Sequence, residues 1–363
     1  MSNTLGKLFT ITCFGESHGP CVGVIVDGCP AGLPLTTADI QQEVDLRRAG
    51  FGPASTTRHE KDKVEILSGV FNGHTTGAPI CMLIKNEDVN DADYEKIKEL
   101  LRPGHADFTA HVKYGGFNDQ RGGGMFSGRI TAGYVMAGAV AKKILCAIGV
   151  ETLAHTVEIG GIAAKPVSYE QIKQLTLNDP LHCADAAASK EMQDAINSIK
   201  KFSDSLGGII EGVALNVPAG LGEPLFDTLD GDLAKALLAI PAVKGVEFGA
   251  GFDAARKRGS ENNDPFILKG GKIITSPNNA GGILGGISTG MPLVIRVVIK
   301  PTSSIALEQQ TVDVQKMKPA TLKITGRHDA CIVPRAVPVV SAMMAVVLCD
   351  FAMQAGLISR VFK

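Results

Sequence analysis

Three histidines lie in short glycine-containing segments beside an acid or an arginine. The segments are GESHG around His18, RPGHAD around His105 and TGRHD around His328. Because imidazole titrates near neutrality, histidines in such surroundings suit proton transfer beside a bound anion. A capping or turn histidine is the alternative for any one of them. Three such segments spread along one chain favour an enzyme.

Arginines also cluster around predicted turns. They are Arg47, Arg48, Arg58, Arg102, Arg121, Arg129, Arg327 and Arg335. Guanidinium groups bind carboxylate and phosphate in a bidentate manner, so this set indicates a cationic pocket in a near-neutral chain. A solvated surface arginine is the alternative for any single member. Arg47, Arg48, Arg102 and Arg327 are favoured because they lie beside glycine or histidine motifs.

Two glycine-rich loops are candidates for holding an anion. RGGGMFSGR (121–129) runs into a predicted helix, whose positive N-terminal end would face a ligand. NNAGGILGG (278–286) leads to KPTSS (300–304), which offers an ammonium group and hydroxyls to a phosphate. Neither loop matches the phosphate-binding or dinucleotide-binding glycine signatures, so each is a weak signal alone. No Cys/His spacing suits a metal, and no metal site is assigned.

The composition excludes several classes of protein. The 363 residues suffice for one large or two medium domains, and 42 glycines exceed the usual share of roughly 7%. A net charge of −1 predicts no bulk attraction to nucleic acid. The eight cysteines form no C-x-x-C pair and lie mostly in apolar runs, which is typical of buried free thiols in a reducing compartment.

The chain shows no membrane signal at the sequence level. Its first residues lack the apolar core of a signal peptide. The most apolar stretch, 336–349, is interrupted by Pro338 and falls short of the ~20 residues that a membrane span needs. We therefore expect a soluble cytoplasmic protein.

Comparison of the chain with itself reveals an internal repeat. The run 21–33 resembles 209–221, since both are apolar, β-branched and end in PAGL. Helix-like segments follow at 37–48 and 230–240, and then similar strands at 76–85 and 289–300. Each half next reaches its Gly/His/Asp segment, at 104–107 and 326–329, and a long small-residue helix, at 128–148 and 336–354.

The repeated order predicts one α+β domain over residues 1–363. We expect two similar halves, about 13–150 and 205–356, joined through residues 150–204 with an amphipathic helix near 185–202. Regular βαβ alternation is not evident, so antiparallel sheets covered on one face by helices are predicted.

Eight segments together resemble the chorismate synthase family nearly from end to end. They are FGESHG (14–19), RPGHADFTAHVKYG (102–115), RGGG (121–124), PAGLGEPLFDTLD (218–230), VKGVEFG (243–249), NNAGGILGGISTG (278–290), KPTSSI (300–305) and TGRHDACIVPRAVPV (325–339). The resemblance implies a β-α-β sandwich whose helices lie between two antiparallel sheets. It also implies a shikimate-pathway lyase that converts 5-enolpyruvylshikimate-3-phosphate to chorismate and phosphate by 1,4-anti elimination, for aromatic amino acid biosynthesis.

The resemblance further implies reduced FMN (FMNH2) as cofactor, an association with NADP, a homotetramer and a separate flavin reductant. His18 would protonate the departing phosphate, His105 would protonate or balance the reduced flavin near N1, and Asp329 would help flavin N5 take the ring proton. The implied cofactor-binding residues are Arg47, Ser127, Ala242, Gly285, Lys300, Pro301, Thr302, Ser303, Ser304 and Arg327. The implied substrate-binding residues are Arg47, Arg48, Arg102, Arg129 and Arg327.

Two departures from the family pattern accompany the resemblance. Many members read RGGGRSSARET where this chain has Met125, Phe126 and Ile130. Family members commonly have a further arginine a few residues after the position of Arg48, and this chain has another residue there, near Pro53. Both departures predict altered affinity for flavin or substrate.

Two other functions remain open at this point. A non-catalytic flavin- or phosphate-ligand-binding protein would keep the scaffold, although it would not need His18, His105 and Asp329. An enolpyruvyl transferase would act on a similar anionic substrate without flavin.

Overall fold

The computed structural model of the chain describes residues 3–48, 61–87, 97–324 and 328–362. Arg58, Pro53 and Arg327, which the sequence singled out, lie outside the described residues. The strands run as follows: β1 Thr4–Leu5, β2 Thr10–Gly15, β3 Cys21–Asp27, β4 Val64–Ile66, β5 Val70–Phe71, β6 His74–Thr75, β7 Ile80–Lys85, β8 Glu151–Ile159, β9 Ile162–Ala163, β10 Gly208–Leu215, β11 Val243–Phe248, β12 Phe266–Lys269, β13 Lys272–Thr275, β14 Ile283–Leu284, β15 Ile287–Ser288, β16 Leu293–Ile299, β17 Glu308–Asp313 and β18 Lys318–Lys323.

Eight α-helices are present in the described part of the chain. They are α1 Thr37–Arg47, α2 Asp107–Tyr114, α3 Thr131–Cys146, α4 Tyr169–Leu175, α5 Ala186–Lys201, α6 Leu229–Leu238, α7 Gly259–Asn262 and α8 Val333–Gln354. Helix α1 begins in a capping box, in which Thr36 accepts from the Asp39 N–H and Asp39 accepts from the Thr36 N–H. Thr228 caps α6 in a similar way, through a hydrogen bond from the Gly231 N–H.

Two five-stranded sheets share one strand order. The first runs β1-β2-β3-β7-β4 and the second runs β11-β16-β10-β8-β9, with antiparallel neighbours throughout. Strands β2-β3-β7-β4 therefore occupy the same positions as β8-β10-β16-β11. The helices α1 and α3 of the first half likewise correspond to α6 and α8 of the second.

The helical layer lies between the sheets. Helix α3 packs on β2, β3 and β7, α8 packs on β8 and β10, and the two helices pack on each other. Alternate residues of β16 (Leu293, Ile295, Val297 and Ile299) are buried against this layer, as a strand with one covered face requires. The predicted sandwich with helices between antiparallel sheets is confirmed.

A glycine allows the two central helices to touch. A Cβ built on Gly138 of α3 would lie 2.3 Å from the Cβ of Ala342 in α8. Any larger residue would force the backbones apart. Among the described residues, α8 is the one helix long and apolar enough to cross a membrane, and 89% of its most apolar window is buried inside the protein. Helix α8 is thus the centre of the core.

The predicted joint between the halves requires a correction. Residues 150–204 do contain the expected amphipathic helix, α5, which Asp185 caps. They also contain β8, which pairs with β10 just as β2 pairs with β3. The second half therefore begins near residue 151 rather than 205. The sequence comparison missed this strand because β8 shares no turn motif with β2.

Candidate functional site

One cavity of about 920 Å³ opens at the N-terminal ends of α3 and α8, beside the C-terminal end of α1. Most of the predicted site residues line it: His18, Arg47, Arg48, Arg102, His105, Ser127, Arg129, Ala242, Lys300, Thr302, Ser303, Ser304 and Asp329. Pro241 and Lys244 line it as well. The N-terminal ends of two long helices add partial positive charge to this space. The cavity is therefore built to receive an anion.

Gly285 and Pro301 do not line this cavity, contrary to the sequence expectation. Gly285 lies in the turn between β14 and β15, where the neighbouring Gly286 carbonyl accepts the Leu229 N–H at the start of α6. Pro301 packs against Gly207, since a Cβ built on Gly207 would lie 2.9 Å from the Pro301 Cδ. Lys300 and Thr302 line the cavity, whereas Pro301 does not.

Two adjacent glycines hold the two catalytic candidates on either side of one turn. Gly122 and Gly123 have φ angles of +58° and +87°, a backbone conformation that favours glycine. A Cβ on Gly122 would lie 2.3 Å from the His18 Cδ2, and a Cβ on Gly123 would lie 3.0 Å from the His105 Nε2. The missing side chains of these two glycines thus let both imidazoles lie close to the backbone of the loop. His18 is 9% exposed, which shields its ring from bulk water.

His105 and Arg102 share one carboxylate, that of Asp107 in the first turn of α2. Asp107 Oδ1 lies 2.7 Å from His105 Nδ1 and 2.7 Å from Arg102 Nη2. Asp107 Oδ2 accepts from Arg102 Nε at 2.8 Å and from the Arg102 backbone N–H at 2.9 Å. Burial alone would raise the pKa of Asp107, but hydrogen bonds from His105 and Arg102 hold that pKa well below its usual range.

A buried cluster at the floor of the cavity joins Arg47, Asp62 and Arg129. Arg47 Nε donates to Thr131 Oγ1 at 2.8 Å and Nη2 donates to the Gly128 carbonyl at 2.7 Å, while Nη1 lies 3.6 Å from Asp62. Burial, followed by the positive charge of Arg335, lowers the pKa of Arg47 to about 9. Burial opposes ionisation of Asp62, yet the charges of Arg129 and Arg47 lower its pKa overall.

The guanidinium of Arg129 donates its hydrogen bonds to other residues of the protein. Its Nη1 donates to Asp62, its Nε donates to Asn86 Oδ1 at 2.9 Å, and its Nη2 donates to the Lys85 carbonyl at 3.3 Å. These contacts make Arg129 an anchor of the cavity wall. Arg48 lies at the C-terminal cap of α1 with its side chain 34% exposed, so it is the more accessible guanidinium.

The far wall of the cavity carries the segment 300–304 that follows β16. Burial and the positive charge of Lys244 lower the pKa of Lys300. The Thr302 hydroxyl is buried and has no hydrogen-bond partner within the described part of the chain. Such a hydroxyl can form a hydrogen bond with a water molecule or with an oxygen of a bound ligand.

The sequence reasoning missed three charged residues of the site. Asp107 was visible inside the GHAD segment but was given no function, and Arg335 was noted only as a turn arginine. Asp62 stands in the charged stretch EKDK (60–63), which gives no sign of a buried residue. Arg335 now emerges as the ion-pair partner of Asp329, at 2.6 Å.

Comparisons with known proteins agree with this architecture. Residues 9–353 match the family model described as chorismate synthase. A chorismate synthase of Dehalococcoides mccartyi strain BAV1 is 58% identical over 363 residues, which is 100% of both chains. One from Methanosarcina barkeri strain Fusaro is 53% identical over 357 residues and covers 98% of each chain. A crystal structure of chorismate synthase superposes with a TM-score of 0.76 at 32% identity, over 96% of this chain and 93% of that one. The chain therefore belongs to the chorismate synthase family.

Proposed function

We propose that this chain catalyses the reaction of its family, the 1,4-anti elimination of phosphate from 5-enolpyruvylshikimate-3-phosphate to give chorismate. It is then a carbon–oxygen lyase of the shikimate pathway, which supplies aromatic amino acids. The observation that carries the proposal is the single cavity lined by His18, His105, Asp329 and an excess of cationic side chains. A site that only bound an anion would not need three proton-carrying groups.

The charges of the cavity suit this substrate. It carries a phosphate and two carboxylates, and the cavity offers Arg48, Arg102 and Lys300 together with the N-terminal ends of α3 and α8. Arg47, Arg102 and Arg129 add to the positive potential, but most of their donors bond to the protein. We assign Arg48 to direct substrate contact and Arg47, Arg102 and Arg129 to the supporting wall. Arg327 lies outside the described residues and stays a predicted ligand.

His18 is assigned as the acid for the leaving phosphate. The imidazole is 9% exposed, lies close to the Gly122 backbone and lines the cavity, where it can reach a bound anion. A positioned general acid lowers the barrier because the phosphate leaves with its charge partly neutralised. Ser17, also buried at the cavity wall, flanks the same ring.

The residues of this cavity fit reduced FMN. Arg47 Nη1 and Thr302 Oγ1 are buried polar atoms with no hydrogen-bond partner in the described residues, and a ligand oxygen would satisfy them. Lys300, Ser303 and Ser304 would hold the flavin phosphate, and Met125, Phe126 and Tyr134 offer an apolar wall for a flat ring. When bound, reduced flavin lends an electron transiently and recovers it, so the overall reaction has no net redox change. His105 and Asp329 would exchange protons at the edge of that cofactor.

The assignment is tested by turnover under strict anaerobiosis. Chorismate formation would be followed with and without FMN reduced by dithionite, at equal protein and substrate concentrations. We expect activity only with reduced FMN. Full chorismate formation without flavin would overturn the flavin-dependent assignment, and flavin binding without turnover would favour a non-catalytic ligand-binding protein.

The wider setting follows from the family and is proposed with it. We propose a homotetramer, a separate reductant for the flavin linked to NADP, and a cytoplasmic location. The exposed apolar hairpin β12–β13, with Phe266, Leu268 and Ile273, supports subunit contacts. Sedimentation analysis would test the assembly.

A further inference from the structure

We propose that Asp107 is a positioning residue that fixes the tautomer of His105. It keeps a proton on Nδ1, so that Nε2 is the nitrogen that exchanges a proton with a bound ligand. This inference depends on the proposed function for what His105 does in catalysis, but the tautomer itself does not depend on it.

The contact between the two residues defines the proton. Asp107 Oδ1 and His105 Nδ1 are 2.7 Å apart, and an ionised carboxylate only accepts hydrogen bonds. Nδ1 must therefore carry a hydrogen, because two acceptors at this distance would repel each other. The low pKa of Asp107, which the hydrogen bonds from His105 and Arg102 maintain against burial, keeps this carboxylate ionised.

Arg102 cannot replace the carboxylate in this role. Arg102 Nη2 lies 3.2 Å from His105 Nδ1, but a guanidinium has no acceptor and cannot receive the Nδ1 hydrogen. Both Nη2 and Nδ1 instead point their hydrogens at Asp107 Oδ1, each at 2.7 Å. The carboxylate thus orients the imidazole and the guanidinium together.

The opposite edge of the imidazole is turned toward the glycine-rich loop and the cavity. A Cβ on Gly123 would lie 3.0 Å from both His105 Nε2 and Cε1. His105 lines the cavity with its side chain 18% exposed. With Nδ1 committed to Asp107, the unsubstituted Nε2 is left to act toward the ligand.

An amide in place of this carboxylate cannot satisfy all four contacts. Asp107 Oδ1 accepts from Arg102 Nη2 and from His105 Nδ1, and Oδ2 accepts from the backbone N–H and Nε of Arg102. Asparagine has one acceptor oxygen and one donor NH₂. If its oxygen accepts from the backbone N–H and Nε of Arg102, its NH₂ faces His105 Nδ1. Nδ1 must then accept a hydrogen bond, so the imidazole carries its proton on Nε2.

The experiment measures the tautomer directly, in protein without substrate or flavin. The full-length protein would be labelled with ¹⁵N-histidine, and its ring-nitrogen signals compared between wild type and Asp107→Asn, with His105→Gln assigning the resonance. The matched control is Glu261→Gln. Glu261 accepts from the N–H, Nε and Nη2 of Arg258, as Asp107 does from Arg102, but it lies on an exposed helix outside the cavity and touches no histidine.

We expect neutral His105 to carry its proton on Nδ1 in wild type and on Nε2 in Asp107→Asn, with no change in Glu261→Gln. The kcat of Asp107→Asn should fall by roughly 10²-fold or more, as when a carboxylate that orients a catalytic histidine is amidated. The KM should change less, because the amide oxygen still serves Arg102.

Two results would overturn the proposal: an Nε2–H tautomer in wild type, or an unchanged tautomer and kcat in a folded Asp107→Asn variant. The wild-type spectrum decides even if the variant fails to fold. An Nδ1–H tautomer in a protein without lyase activity would reject the proposed function and leave the role of Asp107 intact.

Discussion

The carboxylate of Asp329 lies 2.6 Å from Arg335 Nη1, and Arg335 Nε donates to the backbone carbonyl of Arg47 at 3.2 Å. Arg335 therefore links the catalytic candidate Asp329 to the end of α1, which comes from the other half of the molecule. Arg335 lies in the first turn of α8, whose N-terminal end already attracts negative charge.

Asp329→Asn should separate catalysis from binding. The substitution preserves shape and removes basicity, so the affinity for oxidised FMN should change less than about tenfold, or ~1.4 kcal/mol. Turnover should fall much further, because the lost interaction acts only along the reaction path. Flavin titration, melting temperature and anaerobic single turnover on this one variant provide the test. A parallel loss of all three would mean that Asp329 only anchors its turn through Arg335.

His18→Ala and His105→Ala should each lower kcat by roughly 10²–10⁴-fold, the usual contribution of a positioned general acid or base. His328→Ala should be less damaging, since His328 neighbours Asp329 and Arg327 and is expected to orient them. Steady-state kinetics with saturating reduced FMN would compare the three folded variants. Equal damage from His328→Ala and His18→Ala would contradict these roles.

Gly122→Ala should lower kcat by more than the accompanying loss of folding stability accounts for. The new Cβ would clash with His18 at 2.3 Å, and φ is +58°. Gly149→Ala is the matched control, because φ is +76° there and no atom lies within 4 Å of the new Cβ. Both should cost roughly 1–2 kcal/mol of stability for the left-handed backbone. Only Gly122→Ala should also reduce kcat, by about tenfold or more. Equal activity of the two variants would argue against the idea that the glycine-rich loop positions the His18 imidazole.

Asp62→Asn should destabilise the protein in a pH-dependent way. Removing the carboxylate leaves Arg47 and Arg129 buried without their counter-charge, at a cost of about 3–5 kcal/mol. The folded pKa of Asp62 is lowered, so its contribution is full above its unfolded pKa of 3.8 and is lost as pH falls through the folded value. Denaturant unfolding of wild type and variant should thus differ most at neutral pH and converge in acid. A difference that stayed constant with pH would show that the charge of Asp62 is unimportant.

Much of the site was visible in the sequence because its parts are local motifs. His18, His105 and the segment 300–304 each stand in a short stretch whose glycines and polar residues indicate a turn near a ligand. The repeated order of strands and helices was also readable, since apolar periodicity and the PAGL turns recur. Strand β8 was not found by comparing the sequence with itself, because a strand without a turn motif matches many apolar runs equally well.

The charged partners were not readable from the sequence. Asp62 joins Arg129 across 67 residues, and Arg335 reaches the Arg47 carbonyl across 288 residues. Such pairs depend on how the two halves pack, and the types of the residues do not specify their separation in space. Asp107 was different, since its two partners are two and five residues away, and a local geometric argument would have found it.

The sequence by itself indicated the family, most of the order of elements and the candidate groups for proton transfer and anion binding, because these are encoded in short local motifs. Tertiary structure alone decided which of those groups share the cavity. It placed Pro301 and Gly285 outside the cavity lining, bound Arg129 into the wall and brought Arg335 to Asp329. The physical reason is that the direction of a side chain follows from strand register and helix packing, which distant parts of the chain fix together.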